Sequence, residues 1–419
     1  MGESMRSTAR RVLVRAQVLT LGLLVLAGCA GGPQGVLTPL RVDPAAFGAS
    51  RIDMLVATTR QAVDDPAFLY GGERGPNLSL LDMEISIPPD ANRKIGEVQW
   101  PKRLPPNPAR DFTTLLANPM SAHQSRTWLN ENLTPSRNVL IFVHGFNNRF
   151  EDSVYRFAQI VHDSGADVTP ILFTWPSRAS VFGYNYDKES TNYSRDALET
   201  LFREVAKDPR VREVTVMAHS MGTWLAVESL RQMAIRDGRI AAKIHNVILA
   251  SPDIDIDVFR QQWIQFGERK PHFTIFVSTD DKALAVSRIL AGNSRLGAVN
   301  PAEEPYKSEF EKAGIDVVDL TGQGGSDYLN HSRFAESPEV VQLIGRRLIN
   351  GQTVTDSHVG VGEAIGAVAI GATQAVGQTA SAAISLPIAV VDPTTRRNLG
   401  DQFDAAVDST AGTLEAARP

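Results

Sequence analysis

Residues 214–222 read Val-Thr-Val-Met-Ala-His-Ser-Met-Gly, an apolar run that passes through a small-x-Ser-x-small turn into an amphipathic stretch. A serine so placed sits on a sharp strand-to-helix turn that lifts its hydroxyl clear of a sheet. Small neighbours, here Ala218 and Gly222, are needed where the backbone segments come close. The chemistry is nucleophilic: Ser220 would attack a carbonyl carbon. The first small position is alanine rather than the usual glycine, one methyl more than the pattern. Taken alone the pentapeptide describes a helix N-cap equally well. A nucleophilic serine needs a base to take its proton and an acid to orient that base, so those partners decide between the two.

Of the eight histidines, His123 and His162 precede the serine in segments without strand character, and His219 lies in the turn itself. His245 and His272 enter apolar runs from what should be the wrong edge, because sites of open parallel sheets lie at the carboxyl ends of the strands. His358 falls in a C-terminal tail. His331, in Tyr328-Leu329-Asn330-His331-Ser332, follows the last strand candidate and precedes the last helix, so it is the expected base. Carboxylates come from two strand ends: Asp280 and Asp281 after run 273–277, and Asp253, Asp255 and Asp257 after run 246–250.

Such a constellation requires a sheet that brings several strand ends together. From residue 138 onward, apolar runs of strand length (139–143, 169–174, 214–218, 246–250, 273–277, 317–320) alternate with amphipathic stretches (152–162, 194–206, 221–235, 258–266, 283–290, 338–349). That alternation predicts an α/β fold with a mostly parallel sheet and helices on both faces. Before it, 52–59 and 78–87 read as an antiparallel strand pair, followed by a Pro-rich stretch at 101–108.

The runs FVHGFNN (142–148), FTWPSRA (173–179), VMAHSMG (216–222), ASPDID (250–255) and STDDKAL (278–284) together resemble the α/β-hydrolase superfamily, and within it the DUF900 esterase/lipase-like branch. The resemblance spans about residues 50–350 and implies an α/β-hydrolase fold with chain order Ser, acid, His. It implies that the backbone N–H groups of Phe146 and Met221 form an oxyanion hole, in which losing one donor typically costs about 3 kcal/mol. Gly145 then lets the backbone approach the substrate, and His144 orients that loop rather than acting as base. The Asp-Lys-Ala-Leu segment points to Asp281 as the acid, with Asp280 as a cap of the following helix and Asp253 as the next alternative. Trp175, with Tyr184, Tyr186 and Asp187 beyond it, either lines the substrate pocket beside His144 and Gly145 or belongs to the core next to it.

The chain has 419 residues, with 42 Lys plus Arg against 47 Asp plus Glu, a net charge of −5 that argues against a nucleic-acid partner. Its one cysteine, Cys29, excludes internal disulfides and Cys-rich zinc sites. Arg6, Arg10, Arg11 and Arg15 precede an apolar stretch at 16–28 that ends Leu26-Ala27-Gly28-Cys29. This resembles the bacterial lipoprotein box, in which small residues admit the signal peptidase and the cysteine is acylated. The expected organisation is a signal peptide (1–28), a tether (29–50), the hydrolase domain (51–350) and an Ala/Gly-rich tail (351–419). Ala30 and Gly31, with no Asp after the cysteine, imply sorting to the outer membrane, facing the periplasm. Residues 364–391 of the tail carry no charge, and Gly362 and Gly366 form a Gly-x-x-x-Gly pair. Because Ala and Gly supply little transfer energy and Pro387 interrupts the run, a poorly packed tail is expected rather than a membrane hairpin.

The sequence therefore predicts a lipid-anchored envelope serine hydrolase acting on a small-molecule or lipid ester. No cofactor is expected. No metal is implied either, since the chain has no His-Glu-x-x-His run and no Cys/His cluster. The same machinery suits an amide, a thioester or acyl transfer, and a non-catalytic envelope lipoprotein keeping the fold as a binding scaffold is the alternative of another class. Protein partners are not legible.

Overall fold

Strands buried on both faces read as continuous runs of Val, Ile, Leu and Phe, and those runs form the sheet in the computed structural model, which describes residues 33–323 and 328–345. The expected signal peptide, Cys29 and the tail 351–419 lie outside the described residues. In chain order the elements are β1 (Ser50–Ala62), β2 (Tyr70–Ile87), β3 (Thr113–Met120), α1 (Ala122–Glu131), β4 (Asn138–Val143), α2 (Phe150–Ser164), β5 (Thr169–Thr174), α3 (Tyr184–Lys207) and β6 (Glu213–His219). There follow α4 (Met221–Asp237), β7 (Ile244–Ala250), α5 (Ile256–Gln265), β8 (His272–Val277), α6 (Lys282–Ala291), α7 (Tyr306–Ala313), β9 (Asp316–Asp319), α8 (Arg333–Glu336) and α9 (Pro338–Leu343).

The strands lie in the order β3-β2-β1-β5-β4-β6-β7-β8-β9. The pairs β1/β2 and β2/β3 are antiparallel and every other neighbouring pair is parallel. Alternate side chains of each strand serve opposite layers. Along β4, Val139, Ile141 and Val143 pack in the layer that holds α1, α3, α4, α5 and α7, whereas Leu140 and Phe142 pack in the layer that holds α2, α8 and α9. The chain leaves β4 through α2 to β5, then crosses back to lay β6 on the other side of β4. The helices that follow β4 and β6 therefore lie on opposite faces, and a crevice opens at the carboxyl ends of these two strands.

Helices α7 and α8 have no counterpart among the expected elements, and three further segments differ from the sequence expectation. Helix α3 starts at Tyr184, ten residues before its apolar periodicity begins, because its first turns bury Asp187, Ser190 and Thr191 by hydrogen bonding rather than by apolar packing. Strand β3 and helix α1 carried no apolar signal: α1 is held by a Ser121–Gln124 capping box and buries only Trp128 and Leu129. Part of the expected tether is packed, since the side chains of Val36 and Leu37 are buried in the α2 layer and the Leu37 and Leu40 amides bond to Ala67 and Thr114 carbonyls.

Candidate active site

Strand β6 delivers Ser220 to the crevice in a conformation few residues adopt, φ 51° and ψ −125°. The turn is tied at each bond: the Ser220 amide donates to Ala250 O (2.9 Å), and Ser220 O accepts from the Asp253 amide and from Thr223 Oγ1. Two glycines make it fit. A β-carbon on Gly222 would lie 2.2 Å from His144 O, and one on Gly145 would lie 2.8 Å from Ser220 Cβ. The loops after β4 and β6 therefore touch, and Met221 begins α4, where first-turn N–H groups have no intrahelical acceptor. Among the described residues seven non-glycine residues have positive φ. Five of them, Asn147, Ala179, Ser220, Ser251 and Asn330, lie in loops at this edge of the sheet.

The β4 loop rests on buried polar groups. The Trp175 amide donates to His144 Nε2 (3.0 Å), so that nitrogen carries no proton and Nδ1–H donates to Gly145 O (2.8 Å). Burial, reinforced by the charge of Arg60, holds the His144 pKa well below its usual value, so the ring is neutral. Trp175 is fully buried, stacks on that ring at 4.9 Å and donates its indole N–H to His144 O. It is therefore a core residue beneath the loop, which corrects the pocket expectation for Trp175. Its side chain and the imidazole of His144 brace the loop, and His144 also borders the cavity that holds Ser220. Tyr186 also faces away, with its ring under the Arg178 guanidinium.

Arg60, buried in β1, was not singled out from the sequence. Its guanidinium donates to Asn148 O (2.7 Å), Ser177 O (3.0 Å), Gly71 O (3.1 Å) and Thr174 Oγ1 (2.9 Å), pinning the β4 loop, the β5 loop and the β1–β2 turn together. Burial lowers its pKa to about 10, against the charges of Asp187 and Glu151. The available signal was one arginine closing the strand run Leu55-Val-Ala-Thr-Thr-Arg60.

On the other side of Ser220, Asp281 at the end of β8 accepts the Leu284 amide with Oδ1 (2.9 Å) and meets His331 Nδ1 with Oδ2 (2.7 Å). Asp281 therefore caps α6 and holds the imidazole at once. Asp280, expected as the cap, instead takes both Arg333 nitrogens (2.6 and 2.9 Å) and Ser278 Oγ; the Arg333 hydrogen bonds hold its carboxyl far below the usual range. Asp253 faces Arg295 (3.1 Å), Ser287 Oγ and Tyr184 OH. The His331 loop is fixed through its backbone: His331 O accepts from Ser251 Oγ and His219 Nε2, and the Lys282 amide donates to Leu329 O.

Ser220, His331, Gly145 and Phe146 line one cavity of about 730 Å³, a size ordinary for a small-molecule site. Val98, Trp100, Phe334, Phe182, Val286 and Leu290 supply its apolar lining. These residues lie on loops, on the short helix α8 and on the outer face of α6, where periodicity gives no sign of a pocket. The arrangement brings a strained hydroxyl, an imidazole braced by a carboxylate and two loops rich in backbone amides to one chamber. That set is suited to covalent acyl transfer.

A family model described as "Alpha/beta hydrolase of unknown function (DUF900)" matches residues 121–347, more than half of the chain. No curated protein matches the sequence. Among solved structures, an esterase from Rhizomucor miehei is 15% identical, with 73% of this chain and 87% of that one covered and a TM-score of 0.32. Carboxyl esterase 2 from Tuber melanosporum is 15% identical over 53% of this chain and 80% of its own, TM-score 0.30. The RedJ thioesterase of Streptomyces coelicolor is 12% identical over 54% and 95%, TM-score 0.29.

Two imidazoles at this edge, His144 buried and His219 half-buried against the rings of His331 and Phe334, make stability depend on pH. Burial keeps His144 and His219 neutral, aided by Arg60 and by His331 respectively, whereas in the unfolded chain each takes up a proton near pH 6.5. A base with a depressed folded pKa contributes stability above its unfolded pKa and loses it as pH falls. Urea unfolding at about pH 7.5 and 5.5 is expected to show a loss on acidification of at most about 1.4 kcal/mol per unit for each histidine. His219→Gln should flatten that slope; an unchanged slope would mean that other groups set it.

Proposed function

The chain belongs to the DUF900 family of alpha/beta hydrolases, and from that premise we propose that it hydrolyses carboxylic esters through a covalent serine intermediate. The observation that carries this reading is the 2.7 Å contact between Asp281 and His331 Nδ1 in the chamber that holds the strained Ser220. His331 Nε2 takes the Ser220 proton as Oγ bonds to the ester carbon, and the carbonyl π electrons move to oxygen. The amides of Phe146 and Met221 stabilise that oxyanion. As the carbonyl re-forms, the C–O bond to the alcohol breaks and His331 gives the alcohol its proton. Water, deprotonated by the same imidazole, then releases the acid and restores Ser220. Asp281 accepts Nδ1–H throughout, fixing the tautomer and favouring the imidazolium.

We further propose an envelope enzyme held by acyl chains on Cys29. The support is the leader that ends Leu26-Ala27-Gly28-Cys29, and each buried methylene of such a chain contributes about 0.8 kcal/mol to anchoring.

A fluorophosphonate probe should label the protein, and Ser220→Ala should abolish labelling while the fold persists. An inert wild type would favour the binding-scaffold reading. Asp281→Asn should slow ester turnover by roughly three to four orders of magnitude. Asp253→Asn should leave turnover near normal, because Asp253 is committed to Arg295, and Asp280→Asn should lower the melting temperature more than the rate, because it breaks the Arg333 pair. A large kinetic loss at Asp253 with normal turnover at Asp281 would reassign the acid. In a bacterial host the chain should incorporate labelled fatty acid and Cys29→Ser should not; equal incorporation by both would remove the anchor.

A further inference from the structure

Helix α6 turns its apolar side outward. Its sequence, Lys-Ala-Leu-Ala-Val-Ser-Arg-Ile-Leu-Ala, buries only Leu284 and Ser287, while Ile289 is 79% exposed, Leu290 61% and Val286 38%. Across the mouth of the large cavity, Phe182 stands 85% exposed on a short turn before α3, and Tyr328 is 64% exposed beside α6. These are five of the eleven large apolar side chains left exposed among the described residues. Four of them also line the cavity, so the apolar surface is continuous from the rim inward. Ile289 does not line it, so a substrate inside the cavity leaves Ile289 in water. Something larger must cover this face, since contiguous exposed apolar surface rimmed by polar groups marks an interaction site.

The charge beside it selects the occupant. Helix α6 carries Lys282 and Arg288 and no acidic residue. The Lys282 ammonium lies 3.8 Å from the centre of the Tyr328 ring, a cation beside an aromatic of the kind enriched at the headgroup level of bilayers. A two-fold contact with a second copy would set Lys282 and Arg288 against an equally basic α6. An anionic lipid surface instead complements them while the apolar side chains enter the acyl boundary.

We propose that the cavity mouth formed by the outer face of α6, Tyr328 and Phe182 docks on the surface of an anionic phospholipid bilayer. This surface acts independently of any anchor on Cys29 and of the chemistry at Ser220. It turns the cavity entrance toward the membrane, so that an ester reaches the chamber from the bilayer side.

The test uses the full chain with Cys29→Ser, so that no acyl anchor contributes, mixed with vesicles of phosphatidylglycerol and phosphatidylcholine in equal parts. The protein should sediment with these vesicles at low salt and bind about tenfold less to phosphatidylcholine alone. Adding Arg288→Glu and Ile289→Glu should lower binding by about tenfold or more, each basic residue at such a surface being worth about 1 kcal/mol. Phe182→Asp, on a separate element across the mouth, should lower it as well. No vesicle binding by the Cys29→Ser chain, or equal binding by all these variants, overturns the proposal. So does a dimer that Arg288→Glu/Ile289→Glu converts to monomer, since the face then belongs to a second copy. Fluorophosphonate labelling in the same samples reports on the hydrolase reading separately: labelling without binding removes the docking surface alone, and binding without labelling removes the hydrolase alone.

Discussion

Gly222 passes so close beneath the β4 loop that a side chain there would sit on the His144 carbonyl, 2.2 Å away. That approach sets the separation of the two loops bearing the Phe146 and Met221 amides. Two N–H groups act on one developing oxyanion only if they converge on it, so the steric limit at Gly222 is the constraint on which the proposed chemistry depends. Gly145 repeats it from the opposite side, against Ser220 Cβ. The first small position of the turn tolerates alanine because Ala218 lies within β6, with its side chain buried in the α4 layer.

Close backbone contact does not persist without something to hold it, and five strained loop residues at this edge cost free energy that the rest of the fold must supply. Part of that support is polar and buried. Arg60 reaches three loop carbonyls, the neutral His144 ring accepts from the Trp175 amide, and Asp187 takes Ser177 Oγ and the Arg178 amide. Each group has backbone or hydroxyl partners, and these offset the desolvation that burial imposes on Arg60 and Asp187. The apolar layers on both faces of the sheet carry the remainder.

The six parallel strands from β4 to β9 were legible because burial on both faces leaves uninterrupted apolar runs, and Ser220 was legible because its turn constrains residue size. His331 was singled out by its position relative to strand ends. Polar structure was hidden: α1 and the first turns of α3 are stabilised by caps and side-chain hydrogen bonds, which leave no apolar period to read. Arg60 was hidden for the same reason, as its role depends on carbonyls in three separate loops, two of them distant in sequence. The assignment of Asp280 as helix cap failed because adjacent aspartates are equivalent in sequence. Only Arg333, fifty-three residues on, separates their roles.

Asp281 shows why one carboxylate and no near-isostere suits that position. Its two oxygens are committed to different donors, Oδ1 to the Leu284 amide and Oδ2 to His331 Nδ1. The helix cap therefore fixes the carboxylate plane, and the carboxylate fixes the imidazole, without either contact needing a further residue. An asparagine keeps the cap by presenting its oxygen to Leu284, but its NH₂ group then faces His331 Nδ1. Two donors cannot share that contact, so the ring must move its proton to Nε2, the nitrogen that has to be free to take the hydroxyl proton of Ser220. The geometry that starts α6 and the geometry that orients the proposed base are thus one geometry. The helix whose outer face borders the cavity mouth is capped by the residue on which the proposed proton transfer depends.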